Sequence, residues 1–155
     1  MAYLFYLPSL LCGLAIGIEY VRRRHVPAPW VLVGSLAQLI SNIIAAAVGN
    51  TFFTVLQSML FALLSLGVMA LLALARSGGL GANEIKAMAP AGLAVGMCGL
   101  PAVIIWWLCI LLFGTMLTVY WRRTNLRRNA PGSARPPYVP AIVVAAVLAV
   151  AITTI

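Results

Sequence analysis

The chain has 155 residues, 64% hydrophobic and only 8% charged, with a mean hydropathy of +1.09. That leaves too little polar surface to cover a water-soluble globule, so lipid is the expected solvent. Ten Lys and Arg against two acidic residues give a net charge of +8; in an apolar chain this points to basic residues gathered in cytoplasmic loops, and not to a nucleic-acid partner.

Taken in chain order, apolar stretches run from about residue 3 to 20, 30 to 48, 52 to 75, 87 to 98, 101 to 121 and 139 to 155. Most approach the roughly 20 residues that a helix needs to cross the hydrocarbon of a bilayer. The first has no basic flank ahead of it and is followed by further spans, so it is expected to remain in the mature protein. The fourth is short and contains Pro90 and Gly92; it is expected either to cross as a short helix or to enter the membrane as a half-helix.

Charge supports six crossings. The loop at 21 to 29 holds Arg22, Arg23 and Arg24, that at 76 to 86 holds Arg76 and Lys86, and that at 122 to 138 holds Arg122, Arg123, Arg127, Arg128 and Arg135. With six spans all three loops fall on one side; merging residues 87 to 121 into one span would send five arginines outward, against the positive-inside rule. The expected fold is therefore all-α: one polytopic domain over residues 1–155, six transmembrane helices, both termini outside and no soluble domain. The loop from Arg122 to Tyr138 reads as a solvated connector whose arginines suit anionic lipid headgroups.

Most polar and reactive residues read as structural. Cys12, Cys98 and Cys109 lack metal-ligand spacing, and His25 stands alone in a basic loop, so neither a metal site nor an organic cofactor is expected. Trp106, Trp107, Tyr120 and Trp121 suit an interfacial belt or packing. Gly13 and Gly17 form a small-xxx-small pair that lets another helix come close. Gln38, Asn42 and Gln57 either hydrogen-bond between helices or line a transport path, and the lack of an acid at any span centre argues against proton-coupled transport.

The two acids are different. Glu19 ends the first span, and Glu84 precedes the fourth in Gly78-Gly79-Leu80-Gly81-Ala82-Asn83-Glu84-Ile85-Lys86. Both fall at the same membrane level in the six-span arrangement. Two neighbouring carboxylates share one proton, which makes one a base and the other an acid. Each also has a plainer use: Glu19 stands four residues before Arg23, in the favourable orientation for a helix ion pair, and Glu84 would sit at the positive end of the following helix dipole. Gly78, Gly79 and Gly81 remove side chains where an extended substrate backbone must approach, or simply make a turn.

At these residues the chain resembles the type IV prepilin peptidases, the membrane aspartyl proteases of the GxGD class. Gly81-Ala82-Asn83-Glu84-Ile85-Lys86 follows their Gly-x-Gly-Asp-x-Lys signature, with Asn for the second Gly and Glu for Asp. Two further elements occur in family order: Glu19 followed by Arg22 to Arg24 and Val26-Pro27, and the stretch Pro137-Tyr138-Val139-Pro140-Ala141 opening the last span. The spacing from Glu19 to Pro27 is about one residue longer than the family pattern, and both acid positions carry Glu. No methyltransferase insert with paired CxxC zinc ligands occurs, as in the short peptidase-only members associated with Flp or Tad-type pili.

The resemblance implies a multi-pass protein of the bacterial inner membrane, with its site at the cytoplasmic face. Its partner would be a prepilin whose basic leader is cut at the membrane boundary. Glu19 and Glu84 would be the catalytic pair, activating a water with no metal or cofactor, and Gly78, Gly79, Gly81, Asn83 and Lys86 would form the substrate-side loop. The extra methylene on each acid implies weak or lost activity. The alternative is a non-catalytic prepilin-binding or pilus-assembly protein that keeps the peptidase fold.

Overall fold

A computed structural model describes residues 5–23, 25–75, 81–128 and 138–154, with backbone only for 125–128. The described residues form six helices: α1 (Leu7–Arg23), α2 (Ala28–Gly49), α3 (Phe52–Ala75), α4 (Ala82–Met97), α5 (Leu100–Arg128) and α6 (Tyr138–Thr154). Three of them, Ala28–Gly49, Phe52–Ala75 and Leu100–Thr124, are long and apolar enough to cross a membrane. The all-α expectation holds at that level.

The helices start and stop where local chemistry directs. Pro27 precedes α2, whose first turn carries Pro29 where no N–H is needed. Asn50 ends α2 in the left-handed region at φ 55°, its N–H returning to the Ala46 carbonyl. Gly99, at φ +90°, makes the turn between α4 and α5.

Two boundaries differ from the sequence expectation. α4 is a continuous helix that begins at Ala82, so Asn83, Glu84 and Lys86 lie inside its first turns and not in a loop before it. Pro90 does not break it, because α4 packs against all five other helices, and that packing offsets the cost of roughly 3 kcal/mol for an interior proline. The Pro90 carbonyl is also bonded by the Ser9 hydroxyl at 2.5 Å. α5, in turn, runs on through Arg122 and Arg123 to Arg128, which shortens the expected connector. Nothing between Trp121 and Arg128 is Pro or Gly, so no residue there stops the helix at the end of its apolar stretch.

The bundle is apolar on its outside, and a few polar side chains are buried in its otherwise apolar core. Leu11, Ile18, Leu32, Leu36, Leu60, Leu63, Leu108 and Leu111 are among the exposed large hydrophobics, whereas Gln38, Asn42 and Ser58 are fully buried. Small residues let the helices approach. A Cβ on Gly92 would stand 3.0 Å from the Ala62 Cα, and one on Gly96 would stand 2.9 Å from the Ser58 carbonyl oxygen. These glycines bring α4 against α3 at backbone contact. Gly13 faces Val143 of α6, where a Cβ would meet Cγ1 at 3.4 Å, in keeping with the close approach expected of the first span.

Candidate active site

Glu84 is 4% exposed, although it stands in the first turn of α4. A carboxylate so far from water requires hydrogen bonds, and both oxygens have one. Oε2 accepts the Gly81 N–H at 2.8 Å, while the Glu84 N–H donates to the Gly81 carbonyl at 3.2 Å. The carboxylate thus satisfies an amide at the helix start and lies at the positive end of the helix dipole. Oε1 accepts the Tyr20 hydroxyl at 3.0 Å, a bond that ties the end of α1 to the start of α4.

Three chain segments converge there. Ile16 and Tyr20 from α1, Val26 from the following loop, Ala87 from α4 and Val139 from α6 form one buried cluster. Val26 is fully buried, and its N–H donates to the Asn83 Oδ1 at 3.3 Å, so the α1–α2 connection is fastened to α4 one residue before Glu84. Tyr138, beside Val139, shares a 2.6 Å hydrogen bond with Thr118 of α5, which anchors the start of α6.

Glu19 is placed differently. Its carboxylate makes a 2.8 Å ion pair with Arg23 on the same helix, the i,i+4 pairing that its spacing allowed. Successive residues of an α-helix point about 100° apart, so the rotation that aims Tyr20 at Glu84 turns Glu19 to one side. Among the described residues no hydrogen bond joins Glu19 to Glu84; the α1 residue bonded to Glu84 is Tyr20. The sequence held one signal that Glu19 is displaced: its spacing to Pro27 is about one residue longer than in the family that the chain resembles.

Of the loop residues singled out, Gly81 is the extended N-cap of α4 at φ −108°, Asn83 bonds Val26, and Lys86 is half-exposed. Gly78 and Gly79 lie outside the described residues, as do Arg24, Arg76, Arg135 and Pro137.

The mid-bundle polar residues serve packing. Gln38 accepts the Ser9 N–H at 3.1 Å and donates to the Asn42 Oδ1 at 2.8 Å; Asn42 donates to the Ser58 hydroxyl at 3.1 Å and to the Leu93 carbonyl at 3.2 Å. This chain links α1, α2, α3 and α4 and uses the groups that a transport path would present to an ion. Trp106 is fully buried, its indole N–H on the Ile142 carbonyl at 3.2 Å, so it packs the core. No known protein family, curated protein or solved structure matches this chain.

Proposed function

We propose that the chain is a membrane-embedded leader peptidase of the prepilin peptidase type. It acts on precursors that carry a basic leader ahead of an apolar helix, and cuts at the cytoplasmic boundary. One observation carries the reading: segments of the chain that hold the three family-like elements meet in one buried cluster of Tyr20, Val26, Ala87 and Val139, and Tyr20 of that cluster bonds the buried carboxylate of Glu84. Six crossings belong to the same proposal, supported by three long apolar helices and by α1, α4 and α6 packed with them in one bundle.

In this mechanism Glu84 takes a proton from water as the water attacks the scissile carbonyl, and a second acid protonates the leaving amine. The resemblance gives that role to Glu19. Its ion pair with Arg23 is half-open to solvent and worth about 0–1 kcal/mol, but reaching Glu84 also requires α1 to turn. Slow cleavage is the expected result. The test is to combine the chain with a candidate prepilin and measure by mass spectrometry whether the precursor is shortened by its leader. Cleavage by a Glu84→Ala protein at the unmodified rate would refute the reading.

A second reading, a prepilin-binding protein without peptidase activity, is favoured by a specific observation. Both oxygens of Glu84 are already engaged, by Tyr20 and Gly81. Precursor that co-purifies uncut with the chain, and is no better cut after carboxylate substitutions, would establish it.

A further inference from the structure

Glu84 has a partner across the helix interface, and that partner is a phenol. We propose that the working partner of Glu84 is Tyr20 and not Glu19: a carboxylate and a phenol stand where the resemblance expects two carboxylates. The inference rests on the peptidase reading above and specifies its site.

Three observations support it. The Tyr20 hydroxyl donates to the Glu84 Oε1 at 3.0 Å, so the pair is assembled without rearrangement. Tyr20 is held by its surroundings, 6% exposed and packed with Ile16, Val26, Ala87 and Val139, so its ring has little freedom to leave. Glu19, by contrast, is engaged by Arg23 and lies about 100° round the helix from Tyr20. The surplus residue between Glu19 and Pro27 places Tyr20 in the same register.

The chemistry balances with water as the only co-reactant. Glu84 accepts a proton as the water oxygen bonds to the scissile carbon, and the carbonyl π pair moves onto its oxygen. The Tyr20 O–H turns from Glu84 to donate to that developing oxyanion and keeps its proton. When the intermediate collapses the C–N bond breaks, and the proton held by Glu84 passes to the leaving amine. The products are a carboxylic acid and an amine, and both side chains return to their starting state.

The experiment uses the full chain in detergent with a synthetic precursor peptide of basic leader plus apolar helix. Tyr20→Phe keeps the ring and its packing; kcat is expected to fall about a hundredfold, as for loss of one oxyanion donor, with KM little changed. Tyr20→Asp combined with Glu84→Asp is expected to cleave faster than Glu19→Asp combined with Glu84→Asp. The reverse order, or an unaltered kcat in Tyr20→Phe, overturns the inference and leaves the peptidase reading standing. A second readout needs no activity. In protein carrying 13C at the tyrosine ring carbon bonded to oxygen, the signal lost in Tyr20→Phe must shift in Glu84→Gln. If it stays in place, the pairing is wrong even if the chain is a peptidase. If it shifts but neither the unmodified chain nor any variant releases the leader, the peptidase reading falls, and the hydrolytic role of Tyr20 falls with it.

Discussion

Glu84 caps a helix, ties two helices together and is the one buried acid among the described residues. Its uses separate by substitution. Glu84→Ala leaves the Tyr20 hydroxyl and the Gly81 amide without their acceptor and is expected to cost about 1–3 kcal/mol. Glu84→Gln keeps an acceptor oxygen and is expected to cost less, so a protein that keeps its unfolding midpoint but loses cleavage has lost chemistry and not structure. Denaturant titration in mixed micelles, read by circular dichroism, measures both. Asn42 is a purely structural counterpart. Beside the bond it accepts from Gln38 on its own helix, its two interhelical hydrogen bonds to Ser58 and Leu93 give an expected loss of about 1 kcal/mol in Asn42→Ala, at roughly 0.6 kcal/mol per interhelical bond; an unchanged midpoint would contradict this. The prominence of Glu84 was legible in the sequence because acids are so rare in it, and so was the Glu19–Arg23 pair from its spacing. Tyr20 was not, because a tyrosine at the end of an apolar stretch reads as an interfacial anchor until a neighbouring helix supplies its partner.

The central element is α4, and it is the one the sequence described least well. Its apolar run is short because its surroundings are protein on every side: Ala87, Met88, Ala91, Ala94 and Val95 are all buried, so composition selected for small volume and not for contact with lipid. Hydropathy therefore reported too short a helix, and packing carries it through Pro90. The long exposed helices α2 and α3 were legible almost to the residue, since lipid-facing length is what an apolar run measures. The close face of α4, Gly92 and Gly96, leads to a paired test. Gly96→Ala puts a methyl group 2.9 Å from the Ser58 carbonyl oxygen and is expected to destabilise by about 1–3 kcal/mol, as overpacking does. Gly67→Ala on α3 meets nothing within 4 Å and is expected to be neutral or to stabilise by up to about 1 kcal/mol through helix propensity. If both behave alike in the same micelle titration, the intimate α3–α4 contact is wrong.

At the scale of the whole molecule, the proposed sidedness rests on where helix ends meet. The end of α1 and the starts of α4 and α6 share one buried cluster. At the opposite end the α4–α5 turn lies beside the start of α3, with Gly99 close to the Gln57 amide. The basic residues of the described helix ends, Arg22, Arg23, Lys86, Arg122 and Arg123, belong to the three segments that the six-crossing arrangement sends to the side of Glu84. That is the side the positive-inside rule assigns to the cytoplasm. The two remaining turns among the described residues, Asn50–Thr51 and Gly99–Leu100, carry no charge, and in the proposed six-crossing arrangement they would lie outside at little cost. With Cys12, Cys98 and Cys109 replaced by alanine, single cysteines at Asn50 or Leu100 are expected to react with a membrane-impermeant maleimide applied to intact cells. Cysteines at Arg22 or Arg123 are expected to react only after the membrane is opened. External labelling at Arg123 would place five arginine positions on the wrong face and reduce the crossings between α3 and α6, and it would separate Glu84 from any leader retained in the cytoplasm.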